Sequence, residues 1–387
     1  MQIGVRAPMC SLTGYAEFGR EIVSGLERLG VDVILELLDE GMFESSLPTL
    51  PKSVVDVVLR CRRKIPDDIP IVTIGTPSQY DVDRGSLKVG LGLFEAFLVP
   101  QPWIVAMNRM DLILTVSEFN REVFARNGLD RKKIRLIPPA VDCERFHPDA
   151  APLYLEIVRP FTILFLGQLI LRKGWDKLLI ATLRTFRTHD DVCVVLKLPP
   201  IRWSGEMDLI KSKLSAVKRE AGASKVPVYC NVSPVPVEMV PRVYQVARKA
   251  VPGMVYRYLD GEVPRGVFAL PSLGEGIGLP YLEAQASGLL TLGTRSTGQE
   301  FLSPENAVIV RSGSPIRNLA LELESTLYRG APFPSVTIDA VSDALLRAYN
   351  LSGEDRSWIE SAALSFAKEM TYEKCVECVL SSVGGNV

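Results

Sequence analysis

Glu275 and Glu283 bracket the stretch Gly276-Ile277-Gly278-Leu279-Pro280, with Gly274 just ahead of it. Three glycines within five positions, then a proline suited to a first helical turn, describe a tight loop running into a helix. Unpaired backbone N–H groups at such a point attract an anion such as a diphosphate. Glu275 falls on the loop, and Glu283 about one turn inside the helix that Gly288 would close. Residues 266 to 270, just before the loop, are short and apolar, as a buried parallel strand should be. The glycines match neither the dinucleotide fingerprint nor the P-loop, so on their own they equally describe a plain strand-to-helix turn carrying surface acids.

The rest of the chain alternates strand-like and helix-like runs. Residues 2 to 6 read as a strand, followed by a loop holding Gly14 and a helix to Leu29 whose buried face is Phe18, Ile22, Leu26 and Leu29. Further strands are expected at 31 to 38, 54 to 59, 69 to 74, 89 to 93, 112 to 116 and 133 to 137. Ser117 is placed to cap a helix that Gly128 stops. A second alternating unit opens at 161 to 167. It continues with a helix packing through Leu178, Leu179 and Leu183, strands at 192 to 196, 226 to 230, 266 to 270, 289 to 292 and 307 to 310, and helices thereafter. This is an α/β pattern with two alternating βα units. The expected division is 1–155, 156–350 and a helical 351–387.

Composition narrows the function classes. The 387 residues carry 44 basic and 45 acidic side chains, so no global field favours nucleic acid or an anionic membrane. Hydrophobic residues make up 47%, ample for sizeable cores, yet no run approaches a membrane span. The first residues read as a strand, not as a charged leader with an apolar core. Seven scattered cysteines suit a reducing, cytoplasmic setting, and Cys375 and Cys378 lack the second ligand pair a metal site would need. Arg121, Arg126, Arg131, Lys132, Lys133 and Arg135 form a local basic cluster, readable as a solvated face or as a contact for anionic lipid or phosphate.

The spacing of Glu275 and Glu283, with Gly-Leu-Pro between them and Leu-Glu-Ala at the second, resembles the E-x7-E signature of retaining GT-B glycosyltransferases of family 4. Two further segments agree in order. Residues 167 to 174, Gly-Gln-Leu-Ile-Leu-Arg-Lys-Gly, are similar to that family's donor motif, with Lys173 at the lysine position and Gln168 where an arginine is usual. Residues 133 to 148 are similar to its "KIxVIPNGVDxxxFxP" segment, with Pro139 and Ala140 replacing Asn-Gly. The resemblance covers Met1 to about residue 310.

It implies two Rossmann-like domains facing across a cleft, with a last helix crossing back to the N-terminal domain. The implied reaction moves a sugar from a UDP- or GDP-linked donor to an acceptor hydroxyl, with retention and without a metal or other cofactor. Lys173, helped by Arg172, would neutralise the diphosphate. An arginine at Gln168 would have clamped it, whereas a glutamine only hydrogen-bonds. Gly14 and the N–H groups of Gly276, Ile277, Gly278 and Leu279 would complete that site, Glu275 would hold sugar hydroxyls, and Glu283 the ribose. The family's usual N-domain histidine is missing, since His147 and His189 lie elsewhere. Glu95, or Asp81 or Asp83, would take its place, or Glu95 is a surface acid. The acceptor is open: a glycan, a lipid, a small molecule or a modified nucleic acid. Two other readings share the fold, a nucleotide-sugar-binding protein with a decayed site and a nucleotide-sugar epimerase. Residues 234 to 265 match no family segment; they would shape the donor pocket or form a plain insertion.

Overall fold

The computed structural model describes residues 1–155, 157–251 and 264–384. Two compact units emerge. The first comprises Met1–Ala140, Pro236–Glu238 and Met370–Val387, and the second comprises Val141–Val235 and Met239–Glu369. The helix at 353–369 thus counts with the second unit, and only the last segment with the first.

The first unit is a parallel sheet of β1 (Gln2–Ala7), β2 (Asp32–Leu37), β3 (Ile71–Ile74), β4 (Lys88–Leu91), β5 (Leu112–Thr115) and β6 (Ile134–Leu136), in the order β2-β1-β3-β4-β5-β6. The crossovers carry helices α1 (Gly14–Arg28), α2 (Phe43–Ser46), α3 (Lys52–Cys61), α4 (Gln101–Arg109) and α5 (Glu118–Arg126). Parallel strands need such crossovers, and the helices cover apolar strands that neither face could leave in water.

Helix α1 begins where the Thr13 hydroxyl accepts the Ala16 N–H, and buries Phe18, Ile22 and Leu26. Leu29, expected on that face, is instead the C-cap and stands exposed, because Gly30 turns the chain out of the helix. Ser117 caps α5 by accepting the Asn120 N–H, as its position implied.

The stretch 54 to 59, expected as a strand, is helix α3. Its branched apolar residues mimic a strand, but Val57, Val58 and Cys61 are the buried ones, at helical spacing and against β2. Packing overrides the strand preference of valine here.

The second unit repeats the scheme with β7 (Phe161–Leu166), β8 (Val192–Lys197), β9 (Val228–Asn231), β10 (Val267–Leu270), β11 (Thr291–Gly293) and β12 (Val308–Ile309), ordered β12-β11-β10-β7-β8-β9. Its helices are α6 (Trp175–Thr185), α7 (Glu206–Ala221), α8 (Val240–Gln245), α9 (Leu279–Ala286), α10 (Leu319–Glu324), α11 (Ile338–Asn350) and α12 (Gly353–Glu369). Only helices were expected after β12. The chain instead makes an antiparallel pair of β13 (Gly313–Arg317) and β14 (Pro332–Ser335). Prolines 315, 332 and 334 hid it, since proline is admitted to a sheet only at edges and ends.

Helix α13 (Tyr372–Ser382) returns to the first unit. Tyr372 meets Phe18 of α1 edge-on at 5.7 Å between ring centroids, and Val376 fills the space a side chain at Gly25 would need.

Candidate active site

The carboxyl ends of β7 and β10, neighbours in the second sheet, each release a loop that carries the expected residues. The loop after β7 ends in a short turn at Leu171–Lys173. Gly174 then adopts φ +66° and lies against the Pro271 carbonyl, so only glycine fits. The loop after β10 ends at Gly278, φ +85°, which starts α9 with Pro280 in its first turn.

These loops are stitched together. The Leu273 N–H donates to the Arg172 carbonyl at 2.7 Å, and the Ser272 hydroxyl donates to the carbonyls of Arg172 and Gly274. Arg172, itself buried, donates to the Gly274 carbonyl.

At the junction Lys173 Nζ lies 2.7 Å from both carboxylate oxygens of Glu275, and Arg172 Nη1 stands 3.6 Å from one of them. Glu275 is only 5% exposed. Burial pushes its carboxyl up, but Lys173 and then Arg172 outweigh burial and hold it below the usual glutamate range. The residue is therefore an anion locked between two cations.

A third strand end completes the frame, and its residues carried no signal in the sequence beyond a turn. Beyond β11, the Thr297 hydroxyl accepts the Glu275 N–H at 2.8 Å and donates to Gln299 Oε1 at 2.6 Å. The Gln299 amide donates to Thr294 Oγ1 at 2.9 Å, and the Thr294 hydroxyl in turn donates to the Ser272 carbonyl. Thr294, Thr297 and Gln299 are essentially inaccessible to solvent. Gly298 passes so close to the Gly276 and Glu275 carbonyls that a Cβ would collide with backbone, and its own N–H bonds the Glu275 carbonyl at 2.9 Å. The loop bearing Glu275 is thus held from both sides by fully buried hydrogen bonds.

Glu283 points elsewhere. It lies half-buried on α9, where the Tyr244 hydroxyl donates to it at 2.5 Å. Burial first, then that carboxylate, pushes the Tyr244 hydroxyl far above its ordinary range, so it remains a donor. Of the other expected residues in this unit, Gly276 is half-buried, Ile277 and Leu279 are buried, and Gln168 is exposed at the start of the loop after β7.

The remaining expected residues belong to the first unit. Gly14 is the exposed first residue of α1, and Glu95 is half-buried beyond β4. The two segments touch, since the Tyr15 hydroxyl donates to the Leu93 carbonyl at 3.3 Å. Asp81 and Asp83 are engaged by Arg84 and Arg109 at 2.6 Å each. Half of the basic cluster is answered within the fold: Arg121 pairs with Glu118, Arg131 with Glu122, and Lys133 reaches two backbone carbonyls. In the unplaced 234 to 265 stretch, residues 252 to 263, including 256 to 261, lie outside the described residues. Among the described residues no cluster of three metal-ligating side chains occurs and no helix is long and apolar enough to cross a membrane.

Known structures share this architecture. A crystal structure of Anabaena Alr3699/HepE with UDP-glucose matches at TM-score 0.62, 14% identity, over 99% of this chain and 100% of that one. Escherichia coli trehalose-6-phosphate synthase bound with UDP-2-fluoro glucose matches at TM-score 0.65 and 13% identity over 100% of both chains. A glycosyltransferase from Rickettsia africae matches at 0.65 and 14%, over 99% and 97%. The fold is accordingly GT-B, two Rossmann-like βα units. No protein-family model matches the chain. Among curated proteins, a phosphatidylinositol N-acetylglucosaminyltransferase component from Arabidopsis thaliana is 24% identical over 270 residues. That stretch is 70% of this chain, which spans about half the length of this relative.

Proposed function

We propose that the protein is a retaining glycosyltransferase of the family 4 type, moving a hexose from a UDP- or GDP-linked donor to an acceptor hydroxyl without a metal. The observation that carries this reading is the meeting of Lys173, Arg172 and Glu275 at neighbouring strand ends, where open α/β sheets bind ligands. The relatives named above support the donor class, because two of the solved ones hold UDP-sugars and the curated one is named for N-acetylglucosaminyl transfer.

In this reading the diphosphate draws Lys173 toward itself, and the N–H groups from Gly276 to Leu279 share the charge that develops on the leaving group. Glu275, relieved of part of its pairing, accepts sugar hydroxyls from a fixed position. Glu283, oriented by Tyr244, accepts the ribose hydroxyls. The acceptor attacks on the face the nucleotide leaves, and the leaving phosphate takes the acceptor proton. Arg172 takes the cationic part that an arginine at position 168 would have had, because it is already buried beside Glu275.

The test is turnover of UDP- and GDP-sugars against a panel of hydroxyl acceptors, with and without EDTA, and anomeric assignment of the product by NMR. Acceptor-dependent, EDTA-resistant release of nucleotide with a retained anomer supports the proposal. Binding without turnover would establish a sensor with a decayed site, and sugar isomerisation without nucleotide release would establish an epimerase.

A further inference from the structure

The loop that carries Arg172 and Lys173 is gripped by two side chains from elements outside the sequence motifs. Lys213 Nζ donates to the Leu169 carbonyl at 2.7 Å, and Glu324 Oε2 accepts the Leu171 N–H at 2.7 Å. The two also face each other, with Lys213 Nζ 3.6 Å from Glu324 Oε1. Carbonyl, ammonium, carboxylate and N–H thus close a ring around Leu169, Ile170 and Leu171. All of it lies within the second unit.

Both side chains are presented by anchored helices. Lys213 lies on α7 between Ile210 and Val217, the buried residues of that helix, at the spacing that puts all three on one face. Helix α10 belongs to the excursion between β12 and α11 that also makes β13 and β14. The Asn318 side chain starts it by accepting the Ala320 and Leu321 N–H groups, and Leu321 is buried. Arg317 of β13 grips Glu322 through two nitrogens, at 2.5 and 2.9 Å. So fixed, α10 packs on the Leu171–Lys173 turn and holds Glu324 against it.

We propose that Glu324 and Lys213 are positioning residues, which fix the 167–174 loop so that Lys173 reaches both oxygens of Glu275. The pair between them is partly exposed, a kind that adds little stability, so its use is geometric. Each charge is directed at a backbone group of the loop, and charge-assisted bonds of that sort are the strong ones. Arg172 and Leu273 tie the loop to the Glu275 side, while Lys213 and Glu324 tie it from α7 and α10. The excursion at 313–335, which no motif accounts for, thereby becomes a strut for the candidate site. For the reaction that the site then serves, this rests on the glycosyl-transfer reading.

The test is a mutant cycle. The stability coupling between Lys173→Met and Glu275→Gln is measured by urea unfolding in the otherwise native chain and again with Glu324→Ala. It should fall to about half or less in that background, because the loop no longer holds Lys173 against its partner. Glu324→Gln, whose amide oxygen still accepts the Leu171 N–H, should keep most of it. Should Glu324→Ala fail to fold, Lys213→Met carries the same expectation. The KM for the nucleotide sugar should rise about tenfold in Glu324→Ala, while the KM for the acceptor stays put. Undiminished coupling overturns the inference without reference to any activity, since a merely structural brace would lower stability and leave that coupling alone. Reduced coupling with an unchanged donor KM, in a protein that turns over donor, overturns the service to the reaction alone. A wild type with no donor turnover overturns the function, and the coupling still decides the strut.

Discussion

Replacing Lys173 by methionine should expose the logic of the candidate site more directly than any other change. The substitution keeps most of the side-chain volume and deletes the ammonium that contacts both oxygens of Glu275 at 2.7 Å. Glu275, 5% exposed, would be left with Arg172 at 3.6 Å as its cation. Removing one partner of a buried pair costs about 3–5 kcal/mol, and retention of Arg172 sets the expected loss near the lower figure. For a unit of this size that is about 6–12 °C in the transition of the second unit, read by calorimetry. Glu275→Gln should cost less, because Lys173 can turn its charge toward water. The double variant should show a coupling of about 1–3 kcal/mol. The pH dependence has a fixed sign. The folded Glu275 titrates below its ordinary 4.5, so the pair's contribution is present above that value and lost as pH falls through the folded pKa. The Lys173→Met deficit should therefore shrink below about pH 4.5. A variant as stable as wild type at pH 7, or zero coupling, would refute the reasoning.

Four other expectations concern the frame around that pair and the buried groups beyond it. Thr297→Val keeps the shape but strands the Glu275 N–H, which should cost about 1–3 kcal/mol in a urea melt and lower donor turnover. Gly298→Ala forces a Cβ into the Gly276 backbone and should abolish turnover, with a displaced loop visible in amide exchange. Tyr244→Phe removes the 2.5 Å bond that orients Glu283, and calorimetric titration should show weaker nucleotide binding, by a factor of about ten. Burial, with Asp39 next, pushes the Cys10 thiol up to about 12; burial, with Glu27 next, pushes Cys61 up to about 11. Both should resist alkylation of the native protein at pH 8, as mass spectrometry would show.

The parallel sheets were legible because their strands are buried on both faces and read as short apolar runs between glycines. The loops at 167–174 and 274–279 were legible through their resemblance to the family 4 motifs, since the glycines by themselves equally describe a plain strand-to-helix turn. What stayed hidden was tertiary. Residues 54 to 59 wear a strand's composition on a helix, and β13 and β14 are obscured by prolines. Thr294, Thr297 and Gln299 look like ordinary turn residues until folding brings them under Glu275. Arg172 seemed an accessory to Lys173, and only its burial against Gly274 and Glu275 gives it weight. Glu324 had no local signal at all, because the Leu171 N–H it accepts lies 153 residues upstream and meets it only through the packing of α10 on that turn.

The seat of α13 on α1 bears on how the protein is made. Ribosomes add roughly 5–20 residues per second, so roughly 10–50 s separate the emergence of Leu136, the end of β6, from that of Tyr372. Throughout that interval Phe18 and Gly25 present an uncovered apolar groove on a sheet already able to form. The second unit, by contrast, has all its helices before α13 is synthesised. Order of synthesis and order of completion are therefore reversed: the half translated first is finished last. A chain stopped before Tyr372 would carry a complete second unit beside a first unit with an open seam, a natural target for chaperones and for proteases.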